Sequence, residues 1–339
     1  MILSIESSCD DSSLALTRID DAKLLWHKKI SQESTHSTYG GVVPEIASRM
    51  HAQDLPRLLA SAKESFDFSK IKAIGVTTEP GLSVTLIEGL MMAKTLSLEL
   101  ALPLIGVNHL KGHVYSLFID KLEMTFPLGI LLVSGGHTQI LQADSADSMR
   151  LVASTMDDSF GESFDKVAKM LELGYPGGVF IESLAKEYEG ELYPLPIPLK
   201  NHPQIAFSFS GLKNAVRLTL ERESKPAKLA KSFQTTACLH LLAQVERYFK
   251  RHNAPKHFAI VGGASANLFL RQEMQKLCEK YKKELLLAPL EYCSDNAAMI
   301  GRCAREKYLR GEFSDVMGLQ CSPRSSAGEF GHNKFKHKD

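Results

Sequence analysis

Two histidines four residues apart stand in the run Val107-Asn108-His109-Leu110-Lys111-Gly112-His113, and an acidic Ser294-Asp295-Asn296 lies far downstream. On a helix, side chains at i and i+4 project from one face, so the imidazoles of His109 and His113 can reach a single metal ion. A distant Asp295 would complete a two-histidine, one-carboxylate set that leaves coordination positions open for a substrate. The same spacing also arises on any polar helix face, and the chain carries 12 histidines, so the neighbouring segments decide what the pair is for.

Three turns have the character of phosphate-holding loops: Glu6 to Ser13, Ser134-Gly135-Gly136-His137-Thr138, and Gly262-Gly263-Ala264-Ser265-Ala266-Asn267. Taken alone, each also reads as an ordinary turn. Together they form a pattern, because missing side chains let backbone amides approach phosphate oxygens closely. In the third, a strand delivers glycines to a helix start, where N–H groups and the helix dipole meet a nucleotide. Gly161-Glu162-Ser163-Phe164-Asp165-Lys166 opens a helix and is followed by Tyr175-Pro176-Gly177-Gly178. Here Asp165 would accept hydroxyl hydrogen bonds, Gly178 would let a ligand lie against the backbone, and Glu182 would act similarly one turn on. The bland alternative is an acidic first helical turn and a glycine loop.

The elements that must position these residues follow an α/β order. Ile2-Leu3-Ser4-Ile5, a polar turn and Leu14-Ala15-Leu16-Thr17 read as strand, turn, strand, and the pattern returns from Leu128 to Gln142. Two such openings imply two related lobes. Between them come a helix from Pro44 to Phe66, a strand Ile71 to Thr77, a Pro80-Gly81 turn, a helix from Leu86 to Leu100 and a strand Pro103 to Val107 that feeds the histidine helix. The Pro-rich stretch Leu192 to Pro198 is irregular. A helix over 224–251, a strand His257 to Val261, a helix from Leu268 and a last helix Ala297 to Arg310 complete the chain, the last packing back on the first lobe. This places lobe I at 1–120 plus about 297–322, lobe II at 121–296, and a variable tail at 323–339.

With 339 residues, 44% hydrophobic and 23% charged, the chain can build two cores. The six cysteines form no CxxC pair, which fits reduced thiols in the cytoplasm. No secretory signal opens the chain, and no stretch approaches the roughly 20 apolar residues of a membrane span. A net charge of +1 excludes a stand-alone nucleic-acid binder of the strongly basic kind; a nucleic-acid substrate would need local patches or partner proteins.

The ordered set of segments Ile5-Glu6-Ser7-Ser8-Cys9-Asp10, Tyr39 to His51, Pro80-Gly81-Leu82, Asn108 to His113, Leu132 to Thr138, Phe164-Asp165-Lys166, Pro176-Gly177-Gly178, Phe207 to Lys213, Gly262 to Asn267 and Ser294 to Ile300 resembles the bacterial TsaD-type tRNA threonylcarbamoyladenosine transferases, once described as glycoprotein endopeptidases. The resemblance runs over nearly the whole chain. It implies an actin-like, hexokinase-like (ASKHA) fold of two RNase H-like lobes with a central nucleotide and metal cleft. It also implies one divalent metal per subunit, iron with zinc as the alternative, on His109, His113 and Asp295. Leu132, Val133, Ser134, Gly135, Gly136, Asp165, Gly178 and Asn267 would contact the adenylate of threonylcarbamoyl-AMP, with Glu182 near the ribose. The implied reaction is transfer of threonylcarbamoyl to N6 of adenosine 37 in tRNAs reading codons that begin with A. The implied helpers are a TsaB-type paralogous subunit, a TsaE-type P-loop ATPase and an upstream TsaC-type synthase.

Chemically, such a transfer needs an electrophilic carbonyl and a stabilised AMP leaving group, which a divalent cation and glycine-turn amides can supply. Asp10 in the first turn is the candidate for orienting the reacting groups or taking the N6 proton; as an Asx-turn carboxylate it has an equal structural reading. The chain departs from the family at Asp11 (usually glutamate), Glu79 (usually glycine), Glu88 (usually apolar) and Lys111 (commonly glutamate), none of them a proposed metal ligand. Two rivals remain. A metalloprotease would need a general-base glutamate directly after the first histidine, where Leu110 stands. A non-catalytic actin-like ATPase would leave the histidine pair without a task.

Overall fold

The computed structural model describes residues 1–223, 225–251 and 254–325, so most of the segment expected as a tail lies outside the described residues. The chain divides into two compact units, Met1–Met124 with the segment beginning at Ala288, and Thr125–Leu287.

In the first unit, β1 (Ile2–Glu6), β2 (Asp11–Thr17), β3 (Leu24–Ser31), α1 (Glu33–Ser37), α2 (Pro44–Ser65), β4 (Ala73–Glu79), α3 (Ser83–Glu99), β5 (Leu104–Asn108) and α4 (His109–Tyr115) follow one another. The sheet runs in the order β3-β2-β1-β4-β5. Strands β1 and β2 pair antiparallel from Ile2 opposite Thr17 to Glu6 opposite Ser13, while β1, β4 and β5 run parallel. Strand β1 is buried at every position, as expected for a central strand covered on both faces. The returning helix Ala297–Leu309 lies so close on this sheet that a Cβ on Gly75 would sit 2.9 Å from Ala304 Cβ, and one on Gly301 2.5 Å from Thr17 Oγ1.

The second unit repeats the plan with β6 (Leu128–Val133), β7 (Thr138–Ala143), β8 (Met149–Ser154), α5 (Phe160–Met170), α6 (Gly177–Lys186), α7 (Ser210–Arg222), α8 (Pro226–Phe249), β9 (His257–Val261), α9 (Leu268–Lys280) and β10 (Glu284–Leu287). Its sheet order is β10-β9-β6-β7-β8. Phe160, Phe164, Phe207, Phe209 and Phe233 fill the core between this sheet and its helices. Leu192 to Pro198 forms no helix or strand.

Strands β3, β8 and β10 are additions to the sequence reading. All three are sheet edges; β3 exposes Lys28 and Lys29 and β8 carries Arg150, so these two lack the unbroken apolar run of a central strand, while β10 has only four residues. Strand β2 also starts earlier than expected, at Asp11, which confines the first turn to Ser7–Asp10.

Candidate metal centre and nucleotide loops

Strand β5 hands the chain to α4 at Asn108, whose side-chain oxygen accepts the N–H groups of Leu110 (2.9 Å) and Lys111 (3.2 Å). That N-cap fixes the first turn, so His109 and His113 emerge on one face with ring centroids 4.6 Å apart. The carboxylate arrives from the other end of the sequence. Asp295 precedes the helix Ala297–Leu309, whose N-terminus is capped by Asn296 (Oδ1 to Met299 N, 2.9 Å) and tied to the sheet by Ser13 Oγ, which accepts the Ala297 N–H at 2.9 Å. Asp295 Oδ1 thereby lies 3.3 Å from both His109 Nε2 and His113 Nε2. Among the described residues these three form a group that can hold a metal, with ligand atoms all within 4.8 Å of one another.

Two observations fit this group to a divalent ion. His113 is fully buried, its Nδ1 has no hydrogen-bond partner among the described residues and its Nε2 has only the 3.3 Å contact with Asp295 Oδ1, an arrangement that a ligand bond to Nε2 would improve. His109 Nδ1, by contrast, lies 3.1 Å from Glu6 Oε2 and 3.1 Å from Ser8 Oγ. A proton on Nδ1 directed at Glu6 leaves the Nε2 lone pair facing Asp295, the carboxylate–histidine arrangement that orients a metal ligand. Glu6 itself is fully buried, and its two oxygens also accept the Ser8 N–H and the Thr77 hydroxyl.

These groups act on one another strongly through their charges. Burial opposes protonation of His109, but Asp295 and Glu6 on either side raise its pKa well above the usual imidazole value. Burial likewise opposes ionisation of Asp295, and the His109 charge brings its pKa well below the usual carboxylate range. Two carboxylates around one imidazolium are also the charge balance a divalent cation would meet after displacing the Nε2 proton.

In the second unit the β6–β7 hairpin carries Ser134, whose N–H donates to His137 O (2.9 Å) while its Oγ accepts the His137 N–H (3.0 Å). Gly135 and Gly136 at the tip are exposed, with open space where a Cβ would stand. The side chains of Leu132 and Val133 are buried in the core, so only their backbone can meet a ligand. Gly262, at φ +95°, packs against the end of β6; a Cβ there would sit 2.3 Å from Val133 O.

The remaining candidates already serve as helix caps. Asp165 Oδ1 accepts the Gly177 N–H at the start of α6 (2.7 Å), and Gly178 next to it has open space at its Cβ position. Asn267 Oδ1 accepts the Leu270 N–H (2.8 Å), its amide donates to Gln234 (3.0 Å), and Glu182 Oε1 accepts the Leu268 N–H (3.1 Å). Asp10 is part-buried on the β1–β2 turn of the first unit.

A family model described as TsaD, tRNA N6-adenosine threonylcarbamoyltransferase, matches residues 23–302. The tRNA N6-adenosine threonylcarbamoyltransferase of Helicobacter pylori (strain J99) is 60% identical over 340 residues, covering 97% of this chain and 100% of that protein. The chain belongs to the tRNA N6-adenosine threonylcarbamoyltransferase family. Two solved structures share the fold at low identity. HypF from T. kodakarensis matches with TM-score 0.63 and 13% identity, over 92% of this chain and 48% of that one. The activator of the 2-hydroxyisocaproyl-CoA dehydratase from Clostridium difficile, with bound ADPNP, matches with TM-score 0.53 and 16% identity, over 92% and 97%. The fold is the actin-like, hexokinase-like α/β architecture.

The positions expected to depart from the family pattern have local partners. Asp11 Oδ2 pairs with Lys29 Nζ at 2.8 Å, and the same ammonium donates to Ser294 Oγ at 3.1 Å, beside Asp295. Burial pushes the Asp11 pKa up to about 6 against the attraction of Lys29. Glu79 accepts from Asn108 Nδ2 at 3.2 Å and so buttresses the cap of α4, while Glu88 accepts the Ser48 hydroxyl at 2.8 Å. Thr77 and Lys29 were missed as parts of the site, and Glu6 and Ser8, read only as members of a phosphate-type turn, were not foreseen as partners of His109. The one available signal was a carboxylate closing the otherwise uncharged strand Ile2-Leu3-Ser4-Ile5-Glu6.

Proposed function

We propose that this chain transfers the threonylcarbamoyl group from threonylcarbamoyl-AMP to N6 of adenosine 37 in tRNAs that read codons beginning with A, releasing AMP. The 60% identity with the Helicobacter pylori enzyme over nearly the full length of both chains carries the reading. In the step, a bond forms from N6 to the carbamoyl carbon as the bond from that carbon to the phosphate oxygen breaks. AMP leaves with the electron pair, and N6 gives up one proton.

Asp10 is the group offered for that proton. In the second unit, the exposed Gly135 and Gly136 backbone, with Ser134, would steady the departing phosphate. The backbone of Leu132 and Val133, together with Asp165, Gly178, Glu182 and Asn267, would hold the adenylate and its ribose. Adenine N6 is a poor nucleophile, so positioning supplies much of the rate. His109, His113 and Asp295 would hold one divalent ion per subunit, iron in preference to zinc, and that ion when bound would supply a Lewis acid for phosphate or carbonyl oxygens.

The net charge of +1 supports tRNA binding shared with other proteins: a TsaB-type paralogue and a TsaE-type P-loop ATPase, with a TsaC-type synthase providing the donor. No helix among the described residues is long and apolar enough to cross a membrane, which agrees with action on tRNA in the cytoplasm. The old peptidase reading is disfavoured at Leu110. The position that would carry a general base is a leucine packed in the core.

The test is incubation of the purified chain with threonylcarbamoyl-AMP and unmodified tRNA, with and without the partner proteins, followed by nucleoside analysis. The modified adenosine is the expected product. Its absence under every condition, while partners demonstrably bind, sinks the transferase reading.

A further inference from the structure

Three consecutive carbonyls of the β1–β2 turn are each held by a different element. Ser8 O accepts the Leu82 N–H at 2.9 Å and Asp10 O accepts the Gln32 N–H at 3.2 Å. Between them, Cys9 O lies 2.9 Å from His51 Nε2 on α2. The outer two bonds join main chain to main chain; the middle one comes from a side chain. The other nitrogen of the same imidazole, Nδ1, is 2.7 Å from Ser12 Oγ at the start of β2.

A carbonyl only accepts, so Nε2 carries the proton and Nδ1 accepts from the Ser12 hydroxyl. One ring therefore grips the chain just before Asp10 and two residues after it. His51 is fully buried, and burial lowers its pKa, which keeps the neutral ring and this polarity of bonding near neutral pH. The turn it clamps also bears Ser8, whose hydroxyl touches His109.

We propose that His51 is a positioning residue for threonylcarbamoyl transfer, clamping Cys9 and Ser12 so that the Asp10 carboxylate meets the N6 proton along a fixed line. The inference rests on the transferase reading with Asp10 as proton acceptor. His51 does not touch the reacting atoms; its effect passes through the backbone direction at Asp10.

The experiment compares His51→Leu, His51→Gln, Asp10→Asn and the Asp10→Asn/His51→Leu double variant in the full chain with its partners. His51→Leu is expected to lower kcat by about 10- to 100-fold, since small misplacements of a reacting group cost that much. The KM for threonylcarbamoyl-AMP should stay within about twofold, with metal content and circular dichroism unchanged. His51→Gln, whose amide can donate to Cys9 O, should recover most of the rate, and the double variant should be no slower than Asp10→Asn alone.

Three results overturn the proposal: an unchanged kcat in His51→Leu, a rate loss matched by loss of metal or fold that glutamine does not rescue, or fully additive losses in the double variant. Failure of the transferase reading shows instead in the wild-type chain, as absence of product with all components present.

Discussion

Glu6 Oε2 and His109 Nδ1 stand 3.1 Å apart, joining the end of the first strand to the first residue of the helix that carries both histidines. The contact fixes which nitrogen of His109 is presented to Asp295. Glu6→Gln removes the charge that holds the Nδ1 proton and should weaken divalent-metal affinity by about 10- to 100-fold. Metal competition titration of the purified variant checks this, and an unaltered affinity would show that Glu6 is a bystander. His113→Ala and Asp295→Ala should lose bound metal altogether on gel filtration; either variant with full metal content refutes the ligand set.

The Gly262 turn allows no side chain. Its φ of +95° lies where L residues are strained, and a Cβ would press on Val133 O at 2.3 Å. Gly262→Ala should destabilise the chain by about 2–4 kcal/mol through strain and overpacking. Urea unfolding measures the loss, and a midpoint shared with wild type would mean that the turn rearranges freely.

Glu306 sits between two buried arginines. Its Oε1 accepts from Arg302 and Arg305, while the same guanidiniums bind the carbonyls of Phe118 (2.8 Å, from Arg302) and Ile19 (2.5 Å, from Arg305). These bonds hold the helix Ala297–Leu309, and with it the approach of Asp295, against the rest of the first unit. Glu306→Gln leaves two buried cations short of their counter-charge and should cost about 3–5 kcal/mol. A thermal midpoint within a degree of wild type would count against the network as the docking device.

His240 predicts an acid-labile second unit. Its Nε2 accepts the Ser208 N–H at 3.2 Å, and burial lowers its pKa to about 4 from an ordinary 6.5. As pH falls below 6.5 the unfolded chain takes up a proton that the folded chain refuses. The stabilisation is therefore complete above pH 6.5, declines between 6.5 and 4, and amounts to about 3 kcal/mol over that window. His240→Gln should flatten that part of the stability-against-pH curve; curves that stay parallel would show that His240 is not held neutral.

Local pattern made much of this protein legible. Central strands such as β1 and β6 are mostly apolar because helices cover both their faces, and the turns after them announce themselves by Ser and Gly. Helix periodicity alone places His109 and His113 on one face, and Asn108 supplies the cap that starts the helix. The edge strands β3, β8 and β10 were not legible, although the edge strand β5 was: charged residues interrupt β3 and β8, and β10 is only four residues long.

What the sequence determined by itself, then, is the alternation of elements, the family and the short-range geometry of each motif. What only the tertiary structure decided is the meeting of residues far apart in the chain. Asp295 reaches the histidines because its helix is pinned to β1 and β2 by Ser4 and Ser13, and Glu6 reaches His109 because β1, β4 and β5 run parallel and end side by side. Those meetings follow from burial and hydrogen-bond satisfaction summed over a whole unit, and no local spacing encodes them.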